Sequence, residues 1–316
     1  MQIENFKKPY ISVIITAHNR EKYLKEAIES VLNQTLNRSL FEIIVVKNFE
    51  NQEIDELIRK NEIINLKSEL NSLIGEKLAL GIEKAKGEII CFLEDDDLFY
   101  PNKLEYVYNL FNNVKNLGYY KNNYFPISEQ GEPTKFINKN KDFNLSSISI
   151  RKDIINIKYL RKVKGTLIDS FVYCSALESN HKILTNRLVL TKYRVHNSST
   201  ITLNLNFNDF LNKIKDNNGK YLETLHTFFD FFKSERALKC IKSYIFDLES
   251  FNFILFGEKK PKNLFKNLFI FLFNSPKSKK GRIEIVLAYF AVSIFPKYFR
   301  TLIKKILYNR YIQSFK

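Results

Sequence analysis

Four consecutive carboxylates, at Glu94, Asp95, Asp96 and Asp97, follow an apolar run that ends at Leu93. Neighbouring carboxylates repel one another, which raises their pKa values unless a cation neutralises them. Carboxylate oxygens, together with the phosphates of a substrate, are the ligands that Mg²⁺ and Mn²⁺ prefer. The run therefore predicts a divalent-cation site. The alternative interpretation is that these acids only favour the amino end of a following helix.

The residues around this cluster alternate between strand and helix patterns. Continuous apolar runs predict four buried strands, at 11–15, 41–46, 63–66 and 88–93. Apolar residues three and four apart predict four helices, over 21–34, over 54–59, around Leu78 and Ile82 with a stop at Gly87, and from Pro101 onward. This alternation predicts an α/β fold with a doubly wound, mostly parallel sheet.

Ligands bind to such sheets in the crevice at the carboxyl ends of the strands. The loops that follow Ile15, Val46, Leu66 and Leu93 are therefore predicted to line one site. The acidic cluster lies in the last of these loops. Residues 119–165 are polar and Asn-rich, with a weak strand pattern at 147–150.

The second half of the chain changes in character. A helix is predicted over 170–179 and an alternating strand over 188–195, and beyond residue 203 the pattern is helical and rich in Phe and Lys. We therefore predict two domains, a sheet-containing domain over 1–203 and a helical region over 204–316.

Four motifs in this order resemble those of family 2 glycosyltransferases. Residues 9–35 (PYISVIITAHNREKYLKEAIESVLNQT) resemble the opening of the family, and residues 93–98 (LEDDDL) resemble its Asp-x-Asp metal signature. Residues 165–171 (GTLIDSF) resemble the region of its Glu-Asp pair, and residues 193–199 (YRVHNSS) resemble its Tyr-Arg-x-His-x-x-Ser stretch. The resemblance implies a GT-A fold and an inverting sugar transfer from a nucleotide-sugar, with a UDP-sugar as the favoured donor.

The resemblance also implies a role for each matching residue. The nucleotide-sugar would contact a first group of residues, which are Thr16, Ala17, Asn19, Asn48, Glu94, Asp95 and Asp97. Asp96 would bind a Mn²⁺ or Mg²⁺ ion, and His196 would approach that metal or the diphosphate. Asp169, at the Asp of the Glu-Asp pair, would be the general base that deprotonates the acceptor hydroxyl.

The chain also departs from the family pattern. Where the family has an acidic pair after the second strand, this chain has Lys47 and Asn48. Base recognition would therefore either differ from that of the family or rely on Asn48, and a phosphate contact is the alternative role for Lys47. Ile168 replaces the Glu of the Glu-Asp pair, and Glu94 replaces an Asp. These departures bear more on which nucleotide is bound than on the chemistry. Lys47 and Ile168 are the best support for an alternative in which the protein binds a nucleotide-sugar or lipid without turnover.

Two of the assigned residues have simpler interpretations. Asp169, followed by Ser-Phe-Val-Tyr, is also typical of a helix N-cap. His196 lacks further ligands beside it, and a lone histidine is often a surface or a hydrogen-bonded core residue.

The three cysteines are far apart and predict neither a disulfide framework nor a metal-binding pair, which favours a reducing cytoplasm. The first residues lack the apolar core of a signal peptide.

The formal charge of +16 is concentrated at one end of the chain. Residues 257–316 contain 14 Lys and Arg against two Glu, a balance of +12. Their apolar segments are too short to span a bilayer. Amphipathic helices that lie in an anionic membrane interface have this composition. We therefore predict a peripheral protein on the cytoplasmic face of the membrane, with a lipid-linked or glycan acceptor.

The basic region has two alternative interpretations. A helical subdomain could bury its Phe residues against itself or against a second copy of the chain, which would make a homo-oligomer through the C-terminal helices. Nucleic-acid binding would need basic residues and stacking aromatics on a recognised module. The sequence contains no such module, so nucleic acid is not an expected partner.

Overall fold

A computed structural model describes residues 8–134, 144–163, 167–196 and 205–313. These residues form two compact units. The first contains the described residues up to 133 and from 144 to 194, and the second contains residues 134, 195–196 and 205–313. The predicted boundary at residue 203 lies outside the described residues.

The first unit is built on one sheet, with eight strands among the described residues. The strands are β1 (Ile11–Thr16), β2 (Phe41–Lys47), β3 (Ile64–Lys67), β4 (Ile89–Glu94), β5 (Leu98–Phe99), β6 (Leu117–Ile127), β7 (Ile148–Arg151) and β8 (Lys182–Arg194). Their order is β3-β2-β1-β4-β7-β6-β8-β5. Strands β3, β2, β1 and β4 are parallel, β7 is antiparallel to both of its neighbours, and β6 and β8 are parallel. The predicted α/β class and mostly parallel sheet are confirmed.

Helices cover both faces of this sheet. The helices of the first unit are α1 (Leu24–Leu32), α2 (Gln52–Lys60), α3 (Ile74–Lys84), α4 (Lys103–Asn113), α5 (Ile157–Leu160) and α6 (Ile168–Glu178). Val13 and Ile15 join a core cluster with Leu24 and Ile28 of α1. Ile14 points to the other face, where a Cβ on Gly81 of α3 would lie 2.6 Å from its side chain. Burial on both faces explains the continuous apolar run of β1.

Gly87 has a different role from the predicted one. Helix α3 already ends at Lys84, with Ala85 at its C-cap position. A Cβ on Gly87 would lie 2.6 Å from the backbone nitrogen of Ser12. Its own N–H donates to Ser12 Oγ at 2.9 Å. A side chain is therefore excluded here by the close approach of β1, and the predicted helix stop is wrong.

Strand β6 was not predicted. It contains Lys121, Asn122 and Asn123, polar residues that resemble a loop. In the structure Tyr119 and Tyr120 are fully buried. Asn122 is also buried, and its Nδ2 donates to Thr191 Oγ1 of β8 at 3.0 Å. Hydrogen bonds inside the sheet compensate only part of this polar character, because the Tyr119 hydroxyl and Asn122 Oδ1 are buried without a hydrogen-bond partner among the described residues.

The second unit is helical, as predicted. Its described helices are α7 (Phe207–Phe231), α8 (Glu235–Phe256), α9 (Leu264–Asn274), α10 (Lys279–Ile294) and α11 (Pro296–Gln313). Helix α8 contributes many of the buried residues of the unit, and it ends at Gly257 in a left-handed conformation with φ 73°. Among the described helices, none combines the length and the apolar character needed to cross a bilayer.

Candidate functional site

The carboxyl ends of three neighbouring strands lie side by side. Thr16 at the end of β1 pairs in register with Val46 of β2 and with Glu94 of β4. The loops after these strands therefore meet at one edge of the sheet, which is the place predicted for a ligand.

Two asparagines join the first two of these loops. The backbone N–H of Asn19 donates to Asn48 Oδ1 at 2.9 Å, and Asn48 Nδ2 donates to Asn19 Oδ1 at 2.7 Å. Asn19 adopts a positive φ of 52°, which asparagine tolerates better than most residues. Thr16 and Ala17 are buried, and the Ala17 N–H donates to the Val46 carbonyl at 2.9 Å. The structure thus brings together four of the seven residues predicted to contact the nucleotide-sugar, and their ligand contacts stay a prediction.

Arg20 pairs with the acidic cluster, and sequence reasoning missed it. Its Nε donates to Asp95 Oδ2 at 3.0 Å, and its Nη2 lies 2.9 Å from Asp96 Oδ2 and also bonds to Asp95. Burial raises the pKa of Asp95 to about 6, although the hydrogen bonds from Arg20 act in the opposite direction. Its place just after β1, at the same sheet edge as the acids, was the signal that could have indicated this pairing.

Asp97 is the most deeply buried acid of the cluster. It is fully buried, and its carboxylate accepts hydrogen bonds from Asn144 Nδ2 at 3.1 Å and from the Arg194 N–H at 3.0 Å. Burial, with repulsion from Asp96, raises the pKa of Asp97 to about 7. This acid is therefore held in place from two sides and has little contact with solvent.

Glu94 and Asp169 belong to the same electrostatic environment. The pKa of Glu94 is raised well above its usual value by burial and then by repulsion from Asp96, Asp97 and Asp169. Asp169 is half-buried, and its Oδ1 accepts from the Ser170 N–H at 2.9 Å. Helix α6 begins at Ile168 with Leu167 as its N-cap, so Asp169 is not the N-cap residue. The structure thus brings the predicted base close to the acidic cluster.

Asp96 is the member of the cluster best suited to a metal. Its side chain is 13% exposed, whereas that of Asp95 is 4% exposed. Among the residues that the structure describes, no three His, Cys, Asp or Glu side chains form a metal-binding group. Mg²⁺ usually takes one or two carboxylates and completes its shell with water and substrate phosphates. The chemistry of the cluster fits a metal site of that kind, and the role of Asp96 as its ligand stays a prediction.

The side chain of Arg194 fixes the backbone of this loop. Arg194 is buried, and its Nε donates to the Asp96 carbonyl at 2.9 Å. Its Nη2 pairs with Glu26 at 2.6 Å, and its Nη1 donates to the Glu129 carbonyl at 2.7 Å. The Arg of the Tyr-Arg motif thus connects α1, β8 and the acidic loop. His196 is buried and belongs to the second unit, and its metal role stays a prediction.

Lys47 does not face a phosphate site. Its amino group lies 2.9 Å from Asp55 Oδ1 and donates to the Phe49 carbonyl at 2.6 Å. The side chain is 4% exposed. A different lysine lies near the first loop, since Lys77 of α3 contacts His18 Nδ1. Burial lowers the pKa of Lys77.

Lys103 lies beneath the acidic loop. It is fully buried, and its amino group donates to the Ser146 carbonyl and, at 3.1 Å, to Thr191 Oγ1. Ser146 Oγ in turn accepts the N–H of Glu94 at 3.0 Å. A buried lysine therefore supports the segment that positions the first acid of the cluster. Burial lowers the pKa of Lys103 to about 7.

Replacing Lys103 by Met should change how stability depends on pH. The unfolded chain, with a lysine pKa near 10.5, binds more protons than the folded chain between about pH 7 and 10.5, so folding of the wild type becomes more favourable as pH rises there. Lys103→Met lacks this dependence. As pH rises over this range, the free energy of unfolding of the wild type should therefore increase relative to that of Lys103→Met by several kcal/mol, at about 1.4 kcal/mol per pH unit. Urea titrations at pH 6.5, 8 and 9.5 measure the difference. Lys115→Met, at an exposed lysine, is the control, and equal slopes for the two variants would refute the assignment.

Comparison with known proteins agrees with this geometry. A family model described as glycosyl transferase family 2 matches residues 12–174. An uncharacterised glycosyltransferase of Methanocaldococcus jannaschii is 30% identical over 212 residues, which cover 60% of this chain and 72% of that protein. The O-antigen biosynthesis glycosyltransferase WbnJ of Escherichia coli is 29% identical over 214 residues, which cover 60% of this chain and 81% of that protein.

Other relatives are matched over a smaller part of their length. An uncharacterised glycosyltransferase of Rickettsia bellii is 37% identical over 131 residues, and the match spans 40% of this chain and 19% of that relative. Among solved structures, TarS of S. aureus in complex with UDP-GlcNAc superposes with a TM-score of 0.51 at 16% identity, over 77% of this chain and 72% of that one. The same fold is therefore present in the two proteins.

Proposed function

Because the chain belongs to glycosyl transferase family 2, we propose that it transfers a sugar, with inversion, from a UDP-sugar to a lipid-linked or membrane-presented glycan acceptor. The observation that carries the proposal is the sheet edge where the Asn19–Asn48 pair adjoins the carboxylates of residues 94–97 and Asp169. The UDP-bound state of the structural neighbour TarS supports a UDP-sugar as donor. The names of relatives in O-antigen and minor teichoic acid biosynthesis support a glycan acceptor.

We assign the donor end of the reaction to the acidic loop. Asp96 would hold a Mn²⁺ or Mg²⁺ ion, with His196 proposed as a further contact to the metal or the diphosphate. When bound, the ion would neutralise the charge that develops on the departing diphosphate, a Lewis-acid contribution of several kcal/mol. Glu94, Asp95 and Asp97 would orient the ribose and sugar, since hydrogen bonds fix the two buried aspartates.

Asp169 is assigned to the acceptor end. As the acceptor oxygen attacks the anomeric carbon, its proton passes to the Asp169 carboxylate, and the bond from that carbon to the diphosphate oxygen breaks. One displacement of this kind inverts the configuration at the anomeric carbon. Ile168 in place of a glutamate leaves this step to a single carboxylate of the pair.

Asp169→Asn tests the base. We expect kcat to fall about 10²- to 10⁴-fold, the usual contribution of general-base catalysis, because the amide cannot accept the proton. Donor affinity should stay within about twofold, because the base acts on the acceptor hydroxyl and not on the donor. Release of UDP from a panel of UDP-sugars with an added acceptor gives kcat, and calorimetric titration with UDP gives the affinity. The control is Asp153→Asn, at an exposed acid of the first unit, and an Asp169→Asn variant with wild-type kcat would overturn the assignment.

The location proposed for the enzyme is peripheral, on the cytoplasmic face of the membrane. The support is the distribution of charge, since residues 257–316 carry 14 basic residues against two acidic ones. Lys and Arg are attracted to a leaflet that contains anionic lipids, and the attraction falls off over a Debye length.

A further inference from the structure

We propose that α9, α10 and α11 together form one bilayer-facing surface, whose three apolar stripes enter the interface of an anionic leaflet while flanking Lys and Arg residues contact the lipid head groups. The proposal assigns a surface to the membrane location proposed above. It rests on packing within the second unit and does not depend on the transfer reaction.

Helix α9 has one buried side and one exposed aromatic side. Phe265, Phe269 and Phe273 follow one another at intervals of four residues, and Phe265 is 81% exposed. The rings of Phe269 and Phe273 are in contact, with centroids 4.6 Å apart and their planes tilted by 39°. On the opposite side Phe271 is fully buried, 5.4 Å from the ring of Phe246 of α8. The aromatic stripe therefore points away from α8.

Helix α10 is apolar on two sides. Its inner side packs through Tyr289, whose ring lies 4.9 Å from that of Phe253 of α8, and through the buried Val292. Its outer side carries four exposed apolar residues at intervals of four, three and four, which are Ile283, Leu287, Phe290 and Ile294. This spacing places them in one stripe along the helix. A second apolar side has no function in packing against α8.

Helix α11 repeats the arrangement. Arg300 anchors its inner side, with Nε donating to the Ile254 carbonyl of α8 at 3.3 Å. The outer side carries exposed Tyr298, Leu302 and Ile306, again at intervals of four. Each of the three helices packs against α8, and α10 also contacts both α9 and α11. The three stripes therefore lie on the common side of this layer that faces away from α8.

An anionic leaflet is the partner that this surface fits. Exposed Lys266, Lys297 and Lys305 lie on the same helices as the stripes. A second copy of the chain would bring two regions with a balance of +12 each into contact, which repulsion disfavours. A helix with aromatic and aliphatic residues on one side and basic residues beside them lies in the plane of the membrane interface.

The chain contains no tryptophan, so one introduced Trp reports on one position. The full chain is prepared as Phe269→Trp and, as the matched control, as Phe125→Trp at an exposed Phe of β6. With vesicles of phosphatidylcholine and 30% phosphatidylglycerol, we expect a blue shift of the Phe269→Trp emission and quenching by brominated acyl chains. The Phe125→Trp emission should not change.

Sedimentation with the same vesicles gives the affinity. Replacing Phe265, Phe269 and Phe273 by Ser should lower the partition coefficient at least tenfold, while the double variant Phe125→Ser and Leu188→Ser should bind like the wild type. Thermal unfolding checks that the variants fold.

Wild-type binding by the triple variant, or equal binding to pure phosphatidylcholine, would overturn the proposal. Lipid-free self-association that the triple variant abolishes, with no vesicle binding by the wild type, would assign the surface to a second copy instead. The vesicle experiments contain no nucleotide-sugar donor. Failure of the membrane proposal in them is therefore independent of the result of the transfer assay.

Discussion

Asp96→Ala is expected to lower the release of UDP from a UDP-sugar in the presence of Mn²⁺ by about 10²- to 10⁴-fold, while the chain stays folded. Several kcal/mol of Lewis-acid stabilisation correspond to this range, at about 1.4 kcal/mol for each factor of ten. The Asp96 side chain is the most exposed of the three aspartates, so its loss removes the aspartate best placed to reach a ligand.

A direct measurement of Mn²⁺ binding shows whether the loss of turnover comes from the metal site. Mn²⁺ binding followed by electron paramagnetic resonance, in the presence of UDP, should weaken in Asp96→Ala. Asp153→Ala, at an exposed acid that pairs with Arg151 at 3.5 Å, serves as the control and should leave both quantities unchanged. Turnover and Mn²⁺ affinity equal to those of the wild type in Asp96→Ala would remove Asp96 from the metal site.

Arg20→Met is expected to destabilise the folded chain by about 3–5 kcal/mol, the usual effect of removing one partner from a buried ion pair. Asp95 is buried and receives hydrogen bonds from the Arg20 guanidinium. Without the guanidinium, this carboxylate and that of Asp96 repel each other with less compensation. A carboxylate that is already expensive to bury then has to take up a proton or draw in water.

Urea unfolding at pH 7.5 measures the loss, and a second substitution tests its cause. Combining Arg20→Met with Asp95→Asn should recover at least half of the lost stability, because the amide carries no charge. Arg59→Met, at an exposed arginine of α2, is the control and should cost less than about 0.5 kcal/mol. If the double variant is no more stable than Arg20→Met, the ion pair is not the cause.

The strands that could be predicted from the sequence are those buried on both faces of the sheet. Strands β1 and β4 are covered on both sides, so their sequences are continuous apolar runs that only a buried strand explains. Strand β6 escaped prediction because its buried Asn122 donates through Nδ2 to Thr191, a residue 69 positions away in the chain. A local sequence pattern cannot indicate a hydrogen bond that forms only when strands far apart in the chain pair.

The site divides in the same way. The acids of the cluster were predictable because carboxylates in sequence need no tertiary contact to be recognised. The partners of two cations were not. Lys47 pairs with Asp55, and Arg20 pairs with Asp95, 75 residues away. Both pairings depend on how α2 and the strand ends pack, which spacing along the chain does not encode.

The two apolar sides of α10 have a consequence for biosynthesis. Helix α8 leaves the ribosome before α10, so the inner side of α10 meets a formed partner as soon as it is made, while its outer side does not. For a protein at the membrane location proposed above, that outer stripe is open to any other apolar surface between translation and arrival at the lipid. The interval sets a kinetic requirement: delivery to the leaflet, or capture by a chaperone, has to be faster than collision between newly made chains.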